Sequence, residues 1–213
     1  MSGSPEAVGE REIRDALWRR LATEYGGTGA CVLDELGLCG GSALVEVAVI
    51  AEDHVSGYEI KSERDSLSRL AEQARVYNRA LHRVTIVAAT RHLAGVLRLV
   101  PGWWGVVEAL SDGGGGCALV ERRGWRENPG LCLYSLSQLL WREEALHLLT
   151  RRGLDRGVRS KGRREVWRRL AENVPAGELS RAVCRQLKSR ADWRELWTPG
   201  AAGETTGTTI AQT

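Results

Sequence analysis

The fold is decided by residues 43–89, ALVEVAVIAEDHVSGYEIKSERDSLSRLAEQARVYNRALHRVTIVAA. Two short runs rich in β-branched residues, 44–51 and 57–62, predict strands joined by a turn at residues 54–57. The period then changes, because apolar residues between positions 67 and 81 recur at helical spacing. The stretch therefore predicts a β-hairpin followed by a helix.

The chain around this helix predicts how the sheet continues. Asp65 or Ser66 is suited to cap the start of the helix. Residues 83–89 form a third β-branched run, and a helix between two strands implies a crossover connection. The strand at 83–89 should therefore pair parallel within the sheet.

The preceding residues complete an α/β fold. Residues 6–25 carry apolar side chains on one helical face, residues 30–38 read as a strand, and Gly40 and Gly41 provide the turn after it. The predicted order is helix, three strands, helix, strand.

The rest of the chain is predicted to add two strands and then helices. A short helix at 92–100 precedes strands within 101–110 and 117–123, and three helices follow at 135–152, 160–173 and 177–190. We therefore expect a core at 6–125, a basic all-helical domain at 131–197 and a disordered tail at 198–213.

Bulk composition limits the class of protein. No apolar run reaches the roughly 18 residues that a membrane helix needs, so no membrane partner is expected. The first residues, MSGSPEAVGERE, lack the pattern of a secretory signal, which predicts a cytoplasmic protein. The five cysteines show no CxxC spacing, which favours reduced thiols over a zinc site or disulfides.

The positive charge is concentrated near the C-terminus. Residues 151–194 hold 14 Lys or Arg against 5 Asp or Glu, although the whole chain has a net charge of only +3. Such a block suggests an anionic partner. A solvated helical surface that caps the sheet through Trp141, Leu146, Trp167 and Leu170 is the alternative.

Three charged residues stand within the predicted strands. Glu59 and Lys61 are two residues apart, so both point to the same face, while Ile60 points into the core on the other. Glu46 sits between two valines on the neighbouring strand. Burying such charges is costly without a purpose. A structural ion pair on an edge strand is the plain alternative.

This set of residues fits phosphodiester hydrolysis. Carboxylates and a backbone carbonyl are hard oxygen ligands for Mg²⁺. A bound divalent ion polarises phosphate and acidifies water, and a neighbouring lysine stabilises the charge that develops. Gln73 and Tyr77 lie four residues apart on the following helix, hence on one face.

With these motifs in place, the order of elements and the motifs resemble the PD-(D/E)xK nuclease superfamily, also called restriction-endonuclease-like. Residues 11–197 as a whole resemble a family of small bacterial and phage proteins within it, which implies a nuclease core in about the first half. Gln73 and Tyr77 are similar to a pair in its RecB-type branch. The resemblance implies a deoxyribonuclease that uses Mg²⁺ or Mn²⁺, in which Glu46, Glu59 and the carbonyl of Ile60 bind metal and Lys61 assists catalysis.

The same resemblance suggests secondary candidates. Glu12 or Glu35 stands where some members keep an additional acid, and Tyr77 fits a core role as well as a site role. A homodimer on double- or single-stranded DNA is compatible with it, although the sequence shows no self-association pattern.

One position departs from the superfamily pattern, because Glu46 replaces the usual aspartate and is one methylene longer. Mg²⁺ requires near-ideal octahedral geometry, so this change could weaken activity or favour Mn²⁺. A catalytically impaired DNA-binding protein is therefore the alternative function. An RNA-directed nuclease or a toxin-like interaction module is a third.

The basic block distantly resembles the helix–extension–helix modules of SAP type that bind DNA. The shared features are RRGL after the first helix and a Ser-Lys pair that opens the second. The resemblance implies that Arg159, Lys161, Arg163 and Arg164 contact the phosphate backbone, which gives affinity without sequence information.

Overall fold

A computed structural model describes residues 8–190 of the chain and shows one six-stranded mixed sheet with helices on both faces. The strands are Cys31–Leu38 (β1), Ala43–Ile50 (β2), Val55–Lys61 (β3), Arg83–Ala89 (β4), Gly105–Ser111 (β5) and Cys117–Arg123 (β6). The helices are Glu10–Tyr25 (α1), Leu70–Ala80 (α2), Leu93–Leu99 (α3), Leu133–Ser137 (α4), Arg142–Thr150 (α5), Arg163–Asn173 (α6) and Ala176–Ser189 (α7).

The sheet has the strand order β1-β2-β3-β4-β5-β6. Strands β1, β2 and β3 pair antiparallel, β4 is parallel to both β3 and β5, and β6 returns antiparallel to β5. The predicted α/β class, the order of the first six elements and the parallel pairing of β4 within the sheet are confirmed.

Two apolar clusters cover the two faces of the sheet. Helix α1 packs Ile13, Leu17 and Leu21 on one face. Helix α2 packs on the other face together with α4, α5, α6 and α7, and these helices share one continuous cluster with the strands. The division at 125 and 131 stays a prediction, but the described C-terminal helices lie on the sheet as a cap.

Several predicted boundaries are wrong. The turn lies at residues 52–53 rather than 54–57, because β3 already begins at Val55. Helix α2 begins at Leu70 and has no side-chain cap, since Asp65 instead accepts hydrogen bonds from the backbone and hydroxyl of Ser62. The helix predicted at 135–152 is two helices, α4 and α5.

The break between α4 and α5 has a local cause. Trp141 adopts extended backbone before α5, and its amide N–H donates to the Glu144 carboxylate at 2.8 Å. An acid three residues into a helix can satisfy an otherwise unpaired amide in this way, so a new helix starts there. The predicted helix start at residue 6 and the tail at 198–213 lie outside the described residues.

Within residues 8–190 no helix is both long and apolar enough to cross a membrane.

A buried histidine joins the sheet to the last helix. His82 Nδ1 accepts the amide N–H of Val55 at 3.1 Å, and its Nε2 lies 2.8 Å from the hydroxyl of Ser180 on α7. Burial lowers the pKa of His82 to about 4. The imidazole therefore stays neutral in the folded protein at pH 7.

This histidine should make stability depend on pH. The unfolded chain protonates His82 near its ordinary pKa of 6.5, whereas the folded protein resists protonation down to about pH 4. The free energy of unfolding should therefore fall by roughly 3 kcal/mol as the pH falls from 6.5 to 4, because only the unfolded chain binds the proton in this range. Urea denaturation at several pH values would measure the slope.

The matched variants are His82→Gln and His147→Gln, since His147 is exposed. The first should flatten the slope between pH 6.5 and 4, and the second should keep the wild-type slope. Equal slopes in all three proteins would show that His82 does not titrate as described.

Candidate active site

The first component of the site is a buried ion pair on β3. Glu59 is fully buried and Lys61 is 5% exposed. The Lys61 Nζ lies 2.7 Å from Glu59 Oε1. Both side chains point to the face of the sheet that α2 covers, and Ile60 packs on the α1 face, as the strand alternation predicts.

Helix α2 supplies two more donors to the same carboxylate. Gln73 Nε2 lies 2.6 Å from Glu59 Oε1, and Tyr77 Oη lies 2.6 Å from Glu59 Oε2. Burial and the charge of Glu59 raise the pKa of Tyr77, so the phenol keeps its proton. The predicted convergence of these residues on one helical face is confirmed.

Tyr77 also ties the helix to β2. Its Oη lies 2.7 Å from the carbonyl oxygen of Leu44, so one hydroxyl hydrogen serves two acceptors. Gln73 has one orphaned atom, because its buried Oε1 has no hydrogen-bond partner. A buried acceptor without a donor is costly, and it marks a place where a further group could bind.

The strands β2 and β3 separate where the acids lie. Their pairing ends at Val47 opposite Tyr58, although the register would next place Glu46 opposite Glu59. The side-chain alternation of β2 also breaks there, because Val45 packs toward α2 and Val47 toward α1. Glu46 therefore sits at the point where the strand changes face.

The side-chain alternation of the neighbouring strand β1 is also interrupted at the matching position. Glu35 adopts a left-handed backbone with φ of 56° and would stand opposite Glu46 in the β1–β2 register. The side chains of its neighbours Asp34 and Leu36 consequently point to opposite faces of the sheet. Irregular strands of this kind re-aim side chains near functional sites.

Glu46 lies between two charged environments. On the α1 side, Arg14 Nη2 is 3.4 Å from Glu46 Oε2. On the other side, Glu59 and Lys61 act on Glu46 electrostatically. Burial, reinforced by the charge of Glu59, raises the pKa of Glu46 to about 8 despite both cations. The group is thus largely protonated near neutral pH.

Arg14 is the site residue that the sequence pattern did not reveal. It bridges Glu10 at 2.9 Å, Asp34 at 3.0 Å and Glu46. The pairing of Glu10 with Arg14 at i and i+4 was visible in the sequence, but its proximity to β2 was not. Asp34 was missed because regular alternation does not anticipate the kink at Glu35.

The secondary acids lie elsewhere. Glu35 is exposed, so Asp34 is the acid of β1 that approaches Glu46 through Arg14. Glu12 is on α1, where its charge acts on Cys117 of β6. The structure brings neither Glu12 nor Glu35 to the Glu59 cluster.

The donor atoms of the site can be compared with those that a divalent cation requires. Among residues 8–190, no three or more His, Cys, Asp and Glu side chains are grouped to hold a metal ion. The oxygen donors present are the carboxylates of Glu46 and Glu59 and the orphaned Oε1 of Gln73. Mg²⁺ commonly binds through one or two carboxylates and keeps several waters, so these oxygens are donors of the right chemical class. Lys61, Gln73 and Tyr77 already donate to both oxygens of Glu59.

The basic C-terminal surface is partly neutralised. Arg159 Nε lies 2.5 Å from the buried Asp155, so its charge is paired. Lys161, Arg163 and Arg164 are exposed at the start of α6. Of the predicted cap residues, Trp167 and Leu170 are buried, Leu146 is partly buried, and Trp141 is 46% exposed beneath the guanidinium of Arg190.

The fold and site define an α/β protein with a buried acid–lysine cluster between β2, β3 and α2. A family model described as bacteriophage P4 protein cII matches residues 4–207. Because this match covers nearly the whole chain, the protein belongs to that family.

Two known proteins show similarity to the chain. Protein cII of Enterobacteria phage P4 is 32% identical over 107 residues, which are 50% of this chain and 40% of the phage protein. The match thus spans less than half of that relative. A solved structure, the SPO1766 protein of unknown function from Silicibacter pomeroyi, is 16% identical and covers 76% of this chain and 98% of its own, with a TM-score of 0.44.

The hydrogen bond from Tyr77 can be tested by substitution. Tyr77→Phe removes one donor from a buried carboxylate, and this should lower the free energy of unfolding by about 1–3 kcal/mol. Chemical denaturation would measure the change. The matched control is Tyr134→Phe, because Tyr134 is only partly buried. Equal losses in both variants would contradict the assigned role.

Proposed function

We propose that the protein is a divalent-metal-dependent nuclease that hydrolyses phosphodiester bonds in DNA. The observation that carries the proposal is the buried Glu59–Lys61 pair beside Glu46, because it joins an acid and a cation in a water-poor site. The order of elements, E-x-K on β3 and Gln73 and Tyr77 on α2 also match what the resemblance to the PD-(D/E)xK superfamily implies.

The electrostatics support a cation at this site. Glu46 resists ionisation because burial and a second carboxylate both oppose its charge. A doubly charged cation would relieve both effects at once. Glu46, Glu59 and the carbonyl oxygen of Ile60 are its proposed ligands, and Gln73 Oε1, which is buried without a hydrogen-bond partner, would accept a hydrogen bond from a water on the ion.

The bound ion and the side chains of the protein would contribute different parts of the chemistry. When bound, Mg²⁺ or Mn²⁺ would polarise a phosphoryl oxygen and lower the pKa of water. Tyr77 and Gln73 hold the Glu59 carboxylate in one position. Lys61 Nζ is held beside it, where its positive charge would stabilise the extra negative charge of the transition state.

The proposed substrate is held by the basic surface. Lys161 precedes α6, and Arg163 and Arg164 open it. All three are exposed and accessible to phosphates, and the Arg163 guanidinium also lies over the Trp167 ring. Such contacts would be sensitive to salt and independent of sequence. Arg159 is a weaker candidate for this role because its guanidinium already pairs with Asp155.

One observation favours the alternative, a catalytically impaired DNA-binding protein. Arg14 contacts Glu46, and the raised pKa keeps that acid largely neutral near pH 7. A neutral glutamic acid is a poor metal ligand. Unless a cation displaces the proton, the site would keep its architecture without turning over.

Cleavage of supercoiled plasmid and of short single-stranded DNA with Mg²⁺, Mn²⁺ or EDTA tests the proposal. Wild-type protein should cut with metal and not with EDTA, and Lys61→Ala should lower the rate about 100-fold or more. The control is Lys188→Ala, since Lys188 on α7 donates to the backbone of Gly29, far from the cluster in sequence and on another element.

The outcomes separate the two functions. Failure of the wild type to cut with either metal, combined with salt-sensitive DNA binding, would contradict the nuclease and support the binding protein. Restoration of cutting by Glu46→Asp would then show that the longer side chain causes the defect. Preferential cutting of an RNA competitor would contradict DNA as the substrate.

A further inference from the structure

A cleft opens between helices α5 and α7 on the surface of the helical cap, which α4 to α7 form. Its volume is about 220 Å³. The lining residues are Leu140, Glu144, His147, Leu148 and Arg151 on one side, and Ala182, Arg185, Gln186 and Ser189 on the other. No residue of the acid–lysine cluster lines this cleft.

Each helix presents one face to the cleft. On α5 the lining residues from Glu144 to Arg151 stand at positions i, i+3, i+4 and i+7, and on α7 those from Ala182 to Ser189 have the same spacing. Side chains at this spacing are neighbours along one side of a helix. Ala182 contributes only a methyl group to its face, so the cleft stays open beside it.

The two helices are fastened at both ends of the cleft. Near the start of α5, the Glu144 carboxylate accepts hydrogen bonds from Gln186 Nε2 at 3.2 Å and from Arg190 Nη2 at 2.7 Å, at the end of α7. Just after the end of α5, Arg152 Nη2 lies 3.2 Å from Glu178 Oε2 at the start of α7. The helices therefore run antiparallel, and these links fix their spacing on either side of the cleft.

The cleft carries an excess of positive charge. Glu144 is the one acid among the described residues that line it, and Arg190 already pairs with that carboxylate. Arg151 on one side and Arg185 on the other are exposed. Neither guanidinium makes a hydrogen bond or an ion pair with any residue from 8 to 190. Two unpaired positive charges therefore line the same cleft from opposite sides.

The chemistry of the lining suits a phosphate group that carries a small organic part. A guanidinium donates parallel N–H groups to two phosphate oxygens, and the imidazole of His147 adds a further hydrogen-bonding group. The side chains of Leu140, Leu148 and Ala182 provide apolar surface for a sugar or a base. The cleft is smaller than the roughly 300–1,000 Å³ of sites for drug-sized ligands, so its ligand is small.

We propose that the cleft between α5 and α7 binds the phosphate monoester of a nucleotide, with Arg151 and Arg185 holding the phosphate from its two sides. A phosphate monoester has a charge of about −2 near neutral pH, which matches the two unpaired cations. Free nucleotides carry this group, and so does the phosphorylated 5′ end of a nucleic acid. Binding requires no cleavage of a phosphodiester, so the site does not depend on the proposed function.

Isothermal titration calorimetry on the full chain tests the site, with adenosine 5′-monophosphate as the probe. Arg151→Gln and Arg185→Gln should each weaken its binding about 10-fold or more, because each removes a charged hydrogen-bonding partner of the phosphate. Arg168→Gln is the matched control and should bind as the wild type, since Arg168 is exposed on α6 and does not line the cleft. Adenosine lacks the phosphate and phosphoserine lacks the nucleoside, so both should bind more weakly than the nucleotide.

Two short oligonucleotides of one sequence, with and without a 5′ phosphate, distinguish the two sources of the ligand. Tighter binding of the phosphorylated strand that Arg151→Gln abolishes would identify the end of a nucleic acid. Equal binding of both strands, with the mononucleotide still bound, would identify a free nucleotide. The proposal is overturned if neither the mononucleotide nor the 5′ phosphate adds measurable affinity. It is also overturned if adenosine or phosphoserine binds as tightly as the nucleotide, or if Arg168→Gln weakens binding as much as Arg151→Gln.

Discussion

The architecture of the site depends on the buried carboxylate of Glu59. A charge removed from water must be matched by hydrogen bonds and opposite charge, or the fold loses several kcal/mol. Lys61, Gln73 and Tyr77 supply those partners from β3 and α2, and Tyr77 extends the network to β2. One carboxylate thus holds together three elements of the α/β fold.

The second constraint is the shared kink of β1 and β2. Because both strands change face at one level, Glu46 is presented to Arg14 on one side and to Glu59 on the other. A regular β2 would have kept Glu46 in contact with one helix layer only. The kink therefore brings Glu46 close enough to Glu59 for the charge of Glu59 to help raise the pKa of Glu46.

The sequence predicts the parts of this structure that depend on periodicity. The β-branched runs, the helical spacing of α2 and the alternation within Glu59, Ile60 and Lys61 are local signals, and the structure confirms them. The contacts of Arg14 with Asp34 and Glu46 join distant segments of the chain, which no local pattern records. These features follow only once the sheet and its helices are assembled.

The proposed function requires that Glu46 and Glu59 bind one divalent cation between β2 and β3. The most direct measurement is anomalous diffraction from crystals of the protein soaked in Mn²⁺, with data collected near the manganese absorption edge. The expected result is one strong peak within bonding distance of both carboxylates. A peak elsewhere, or no peak at saturating Mn²⁺ with Glu46 still paired to Arg14, would contradict it.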